Sequence, residues 1–212
     1  QSPVPFSLHG YMPASTSFFT WYGLPNIPNF MADYSDYIDN LGLTEPYNRN
    51  LSGFLAHTGV SIDEFLVKNL DNEVAVLSAK LQNDSTDWFI LANTKSGSTT
   101  LQQLESFAGT KTIVKHEFKP DQQKSFPIVE NPIKWFIPTL LGNSFLKVND
   151  EFVTVIDNVL VFGSSISSLE FIINEYLRNN TLTRTEGYRS IQQRISTSSN
   201  LLTNTASRVM FV

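Results

Sequence analysis

Apolar residues gather into two runs, Phe152-Val153-Thr154-Val155-Ile156 and Val159-Leu160-Val161-Phe162, parted only by Asp157-Asn158. Strand-like runs around a two-residue polar break predict a β-hairpin. Gly163-Ser164-Ser165 ends the second run, after which Ile166, Leu169, Ile173 and Tyr176 recur three and four residues apart, as on one face of a helix. The same order stands upstream. Glu73 to Leu81 is rich in Val, Ala and Leu, and Gln82-Asn83-Asp84-Ser85 has turn chemistry. Trp88-Phe89-Ile90-Leu91-Ala92 then forms an unbroken apolar run, which predicts a strand buried on both faces. After Ser96-Gly97-Ser98, Leu101, Leu104, Phe107 and Ala108 mark a helix that stops at Gly109. These strand-turn-strand-helix units, at about 73–108 and 151–178, share their order but little residue identity.

The remaining pattern completes an α+β chain, a mixed or mainly antiparallel sheet covered by helices. Pro3, Pro5, Pro13, Pro25 and Pro28 punctuate an irregular entry, within which Ser17-Phe18-Phe19-Thr20-Trp21-Tyr22 reads as a buried strand. From Asn29, the spacing of Phe30, Tyr34, Tyr37, Ile38 and Leu41 predicts a helix ended by Gly42. Leu51, Phe54 and Leu55 predict a second helix ahead of Gly59, and Ser61-Ile62-Asp63-Glu64 is a capping box for a third, with Phe65 and Leu66 inward. Strands are expected at Thr112 to Phe118 and Ser125 to Val129, whereas Asn131 to Gly142, interrupted by Pro138, fits no single element. Thr183-Arg184-Thr185-Glu186 is a second capping box, opening a helix with Tyr188, Ile191 and Ile195 on its apolar face. A polar loop, Ser196 to Asn204, leads to a last strand at Val209 to Val212. The organisation expected is one α+β domain over 1–212, divisible into 1–110 and 111–212, cut from a longer protein.

Composition narrows the function. With 41% apolar residues, 12% aromatics and 16 Phe in 212 residues, the chain has ample material for a core. Only 17% of residues are charged, against roughly 25% in an average globular protein. That leaves a neutral polar surface and points outside the cytoplasm. A net charge of −5 offers no basic stripe for phosphates, so nucleic acid is not an expected partner. The absence of Cys excludes disulfides, thiolate nucleophiles and cysteine-ligated metals. No apolar stretch reaches the roughly 18 residues of a membrane span.

Candidate chemistry is sparse. His9, His57 and His116 fall in different elements without metal-ligand spacing, and Ser144-Phe145-Leu146-Lys147 matches S-x-x-K without the partner motifs of that nucleophile class. Asp33, Asp36 and Asp39 read as a solvated helix face, and Asn83 to Asp87 as a turn lacking the glycine and glutamate of a calcium loop. Trp21, Tyr22, Tyr34, Tyr37, Trp88 and Trp135 are the aromatics that would line a carbohydrate or peptide groove, Trp135 foremost. No catalytic, cofactor-binding or metal-binding residue is assigned.

The later half, carried by Phe152 through Ser165, Leu169, Tyr176-Leu177, Thr181-Leu182-Thr183 and Tyr188, resembles a family of uncharacterised bacterial envelope proteins, a domain of unknown function. Tyr11-Met12-Pro13-Ala14-Ser15-Thr16 is similar to the proline-containing entry to that family's first strand. The resemblance is specific only over about 140–212, and the family's N-terminal anchor and lipobox cysteine are not in this sequence. It implies a piece of a longer, membrane-anchored protein exposed in the periplasm or on the cell surface, partnered by other envelope proteins or the rest of its own chain, and it brings no catalytic residues. The expectation is therefore a non-enzymatic structural or binding module, set against a hydrolase whose site assembles from distant loops. An exposed aromatic patch favours the first and a cleft of converging titratable groups the second. A third expectation, self-association through terminal strands, calls for an open sheet edge near Val209.

Overall fold

The computed structural model describes residues 3–134, 137, 142, 145, 147–192, 200–205 and 208–211. Its nine strands are β1 (Thr16–Gly23), β2 (Leu70–Lys80), β3 (Thr86–Thr94), β4 (Lys115–Phe118), β5 (Phe126–Glu130), β6 (Phe152–Ile156), β7 (Val159–Gly163), β8 (Leu201–Thr205) and β9 (Arg208–Phe211). They form one open sheet in the order β4-β5-β6-β7-β3-β2-β1-β8-β9, every neighbouring pair antiparallel. The described helices are α1 (Ile27–Asn40), α2 (Thr44–Thr58), α3 (Ile62–Asn69), α4 (Gly97–Ser106), α5 (Ile166–Leu177) and α6 (Glu186–Gln192). The fold is α+β, with β4 and β9 at the two edges of the sheet.

Helices cover both faces, which is why β3 reads as an unbroken apolar run. On one face Val74, Val76, Ile90 and Phe162 meet Met31, Phe54, Phe65 and Leu104 from α1 to α4. On the other, Leu77, Phe89, Leu91 and Val161 meet Leu8 and Met12 of the N-terminal segment and Leu169 and Ile173 of α5. Each such side chain, once buried, contributes about 1.5–3 kcal/mol. Phe19 and Trp21 of β1 belong to the α5 face and Tyr22 to the other, the alternation that a paired strand imposes.

The two hairpin-helix units place their helices on opposite faces, and strand parity explains it. Thr94, the last residue of β3, shares the face of Ile90 and Ala92, so the chain leaves toward α4 on that side. Gly163, the last of β7, shares the face of Val159 and Val161, and the chain leaves toward α5 on the other. Because β3 and β7 are antiparallel neighbours, a two-fold axis relating the units would stand perpendicular to the sheet and put both helices on one face. The units have no such symmetry.

The β6–β7 turn joins these layers. Asp157 takes a positive φ of 54°, and the Asn158 carbonyl accepts from the Thr94 N–H at 2.9 Å and the Thr94 hydroxyl at 2.6 Å. Asn158 Oδ1 accepts from the Gly97 N–H at 3.1 Å, at the start of α4. Gly97 must lack a side chain here. A Cβ would sit 2.6 Å from the Asp157 carbonyl oxygen and closer still to Val155 Cγ2. Gly97→Ala is therefore expected to push α4 off the turn and cost about 2–4 kcal/mol, from overpacking and a lost hydrogen bond together. Chemical denaturation reads this out, and a loss below about 0.5 kcal/mol, the scale of an ordinary surface change, contradicts the packing argument.

Several boundaries differ from the sequence reading. Helix α1 starts earlier, because the Asn26 side chain accepts from the Asn29 N–H and Pro28 sits in the first turn, where its missing N–H is harmless. Its buried face is Ile27, Met31 and Ile38, not the Phe30, Tyr34, Tyr37 stripe. Leu55 of α2 is exposed although Phe54 is fully buried. The cap of α6 is Thr185, whose hydroxyl accepts from the Tyr188 N–H at 3.3 Å, rather than Thr183, which bonds Thr181. Strand β4 is only four residues long and begins at Lys115, not Thr112. Ile195 and most of 135–146, including Trp135 and Pro138, lie outside the described residues.

Candidate functional site

The most exposed apolar surface is built at the α1–α2 corner. With Ile27, Met31 and Ile38 turned inward, Phe30, Tyr34 and Tyr37 form a second stripe, with ring centroids 5.8 Å apart for the first pair and 6.1 Å for the second. Tyr47 of α2 meets Tyr34 edge-on at 5.9 Å. Gly42, at φ 70°, then reverses the chain, and the Leu43 N–H donates to the Ile38 carbonyl at 3.1 Å. The reversal leaves Tyr37 56%, Leu41 51% and Leu43 47% exposed within seven residues of sequence. Burial raises the Tyr34 phenol above its ordinary pKa and, with Asp63 nearby, pushes Tyr47 up to about 12, so both rings are neutral apolar walls at physiological pH.

A groove of about 290 Å³ opens on the other side of the sheet, between the β2–β3 turn and the outer face of α5. It is lined by Gln82, Asn83, Ser167, Glu170, Phe171 and Asn174, with Leu81 at its base. Helix α5 is fixed firmly enough to present those side chains. Ser165 and Ser168 cap each other's backbone N–H groups, and Leu169, Ile172 and Ile173 are buried against the sheet. The His116 ring on β4 meets Glu170 Oε1 at 2.9 Å and ties the edge hairpin to the helix.

Two other spaces are less suited to chemistry. A cleft of about 490 Å³ runs among Pro3, Pro5, Pro25 and Pro28, and Lys95 beside it donates to the Val67 carbonyl at 2.5 Å. A cavity of about 50 Å³ under α3 and α4 is walled by Leu66, Val74, Ile90 and Phe162. Its polar fringe, Asn69, Thr94 and Thr100, is already hydrogen-bonded within the protein.

The buried polar groups serve the fold. Glu73, 2% exposed, accepts from the Ser7 N–H at 2.7 Å, the Leu8 N–H at 3.2 Å, the Trp21 indole at 2.8 Å and the Ser7 hydroxyl. It holds the N-terminal segment to the sheet. Asn131, fully buried, donates to the carbonyls of Ile133 and Asp150 at 3.1 and 3.0 Å and to the Asp150 carboxylate at 3.2 Å. At the surface, Asp157 gathers two phenols, Tyr176 at 2.7 Å and Tyr11 at 3.2 Å, whose rings stack 5.2 Å apart. Burial and Asp157 push Tyr11 up to about 12, and the hydrogen bond to Asp157, with burial, also raises Tyr176.

The sequence candidates do not assemble into one site. His57 is exposed on the last turn of α2; His9 packs on Phe6 and Tyr188, with its Nδ1 buried and without a hydrogen bond among the described residues, and burial lowers its pKa. His116 has the carboxylate that a hydrolytic dyad needs, but the groove serine, Ser167, hydrogen-bonds Ser165 at 3.1 Å. Asp33, Asp36 and Asp39 are exposed on α1. Asp84 pairs with Lys80 at 2.7 Å and Asp87 accepts from Ser164 at 2.5 Å, so the turn carboxylates diverge. Among the described residues no three His, Asp or Glu side chains come together as metal ligands. Trp21 is core, Trp88 carries Lys147 over its ring at 5.0 Å, and Ser144 and Trp135 lie outside the described residues. Glu73 and the α5 groove are not among the sequence candidates. The signal for Glu73 was a lone carboxylate in phase with Ala75, Leu77 and Ala79 on the face that β2 buries. No protein-family model, curated protein or solved structure matches the chain. No helix among the described residues is long and apolar enough to cross a membrane.

Proposed function

We propose that this chain is a non-enzymatic binding module of a bacterial cell-envelope protein, outside the cytoplasm, and that the α1–α2 corner is its contact with a protein partner. The observation that carries the reading is the exposure of Tyr37, Leu41 and Leu43 at one reversal of the chain, a cluster that a monomer gains nothing by showing to water. The low charged fraction and the resemblance of 140–212 to envelope proteins support the location. The competing hydrolase reading draws on the His116 and Glu170 pair, whose imidazole has no hydroxyl nucleophile on it among the described residues.

The 212 residues contain no Cys, so Tyr37→Cys gives a single label site within them, and the same protein without that substitution is the labelling control. A membrane-impermeant maleimide is expected to label it in intact spheroplasts, and a benzophenone maleimide to crosslink it to a neighbouring protein. Combining Tyr37→Ser, Leu41→Ser and Leu43→Ser should abolish a crosslink from a probe placed at Asp36→Cys, while stability changes by no more than about 0.5 kcal/mol per exposed position. Labelling only after lysis defeats the location; a crosslink that survives the triple variant defeats the surface.

A further inference from the structure

The α5 groove has a lining that the contact surface across the sheet does not share, and its chemistry selects a ligand class. Its polar groups are the amides of Gln82, Asn83 and Asn174, the Ser167 hydroxyl and one carboxylate, Glu170, held by the ring of His116. No Lys or Arg lines it, so nothing there rewards a phosphate or a carboxylate. One carboxylate is too few for a divalent cation, which takes six or more oxygen ligands.

The side-chain amides of Gln82 and Asn174 make no hydrogen bond among the described residues, and Asn83, whose Oδ1 accepts from Ser85 at 2.6 Å, keeps its NH₂ donors. Each free amide offers a donor and an acceptor side by side, the pairing that vicinal hydroxyls present in reverse. Phe171, half-buried beside them, adds an aromatic wall for the C–H face of a sugar ring. The volume, about 290 Å³, falls just short of the range of about 300–1,000 Å³ for small-molecule sites, enough for a short segment of a chain whose ends stay in solvent.

We infer that the groove between the β2–β3 turn and α5 binds a neutral saccharide: Gln82, Asn83 and Asn174 pair with ring hydroxyls, Phe171 packs on the ring face, and Glu170, oriented by His116, accepts from a further hydroxyl. Binding is through few contacts on an open surface, so it is weak, with Kd on the order of 1 mM. This does not depend on the α1–α2 corner, which lies on the other face of the sheet.

The test is amide NMR titration of the isotopically labelled chain with cellotriose, chitotriose and maltotriose, each to about 10 mM, ten times the expected Kd. At least one should shift resonances confined to 81–83 and 167–174. Gln82→Ala and Asn174→Ala, both outside the core, should each weaken that binding about threefold or more and together remove it, while the rest of the spectrum keeps its wild-type positions. Phe171→Ala should also remove it, and the two amide variants decide the matter if that change perturbs the fold. Silence with all three sugars overturns the inference, as does binding that the amide double variant leaves intact or shifts centred elsewhere.

Discussion

Glu73→Ala is expected to lower the free energy of unfolding by about 3–5 kcal/mol, a large share of the roughly 5–15 kcal/mol that holds a domain of ordinary stability. Removing the carboxylate orphans the buried Leu8 N–H and Trp21 indole N–H, together with the part-buried Ser7 N–H and hydroxyl. An unsatisfied buried donor costs about 1–3 kcal/mol, and bonds to a charged acceptor are the stronger kind. The methyl left by Ala reaches none of them. Glu73→Gln keeps one acceptor oxygen but introduces an NH₂ where donors converge, so an intermediate loss of about 1–3 kcal/mol is expected. Urea denaturation followed by tryptophan fluorescence reports the global loss and the release of Trp21 together. If the alanine variant melts within about 0.5 kcal/mol of the parent, the carboxylate does not anchor the segment and water serves those donors as well.

The same interaction organises the molecule. Residues 3–15 have no long secondary structure beyond the short turn Leu8–Gly10, yet Leu8 and Met12 are among the most buried side chains. Their backbone is held at several points: the Val4 N–H donates to Asn200 Oδ1 at 2.8 Å, Glu73 takes Ser7 and Leu8, and the Leu182 N–H donates to the Met12 carbonyl at 2.8 Å. Proline spacing forbids a helix there, and these bonds supply the order that a helix would have supplied.

What the sequence revealed follows from which forces act locally. The 156–159 hairpin and the burial of β3 on both faces are encoded in adjacent residues and are present as read, whereas of the α3 capping box only the Ser61 half forms, its hydroxyl accepting from the Glu64 N–H, with no return bond from Glu64 among the described residues. The α1 stripe misled because Phe30, Tyr34 and Tyr37 carry the helical period as well as Ile27, Met31 and Ile38 do; which stripe faces the sheet depends on where α2 and α3 dock. The α5 groove was out of reach because Gln82 and Asn174 stand far apart in sequence and meet only when β3 and β7 pair. The face taken by each helix was equally hidden, since the parity of the last strand residue acts only once the register is set.

Asp150 is expected to make the protein less stable as pH rises from about 4 to above about 7, opposite to the usual behaviour of a paired carboxylate. It is 4% exposed, and burial first, with Glu151 adding to it, raises its pKa from 3.8 to about 7, against the opposing pull of a backbone hydrogen bond and Lys134. Between those values the folded chain holds a proton that the unfolded chain has released, so folding takes up a proton and stability declines with rising pH. Its contribution is fully present below 3.8 and is lost as pH passes through about 7. The whole span corresponds to about 4 kcal/mol at 1.36 kcal/mol per pKa unit. Asp150→Asn keeps an oxygen for the Asn131 amide, which donates at 3.2 Å, and cannot ionise. The variant should match the parent near pH 4 and exceed it by about 2–4 kcal/mol at pH 8, when the parent must bury a carboxylate or open the site. Parallel urea titrations at the two pH values measure the difference directly. Equal stability of parent and variant at pH 8 would show that Asp150 reaches water or ionises at its ordinary pKa, and the assigned source of the pH dependence would be wrong.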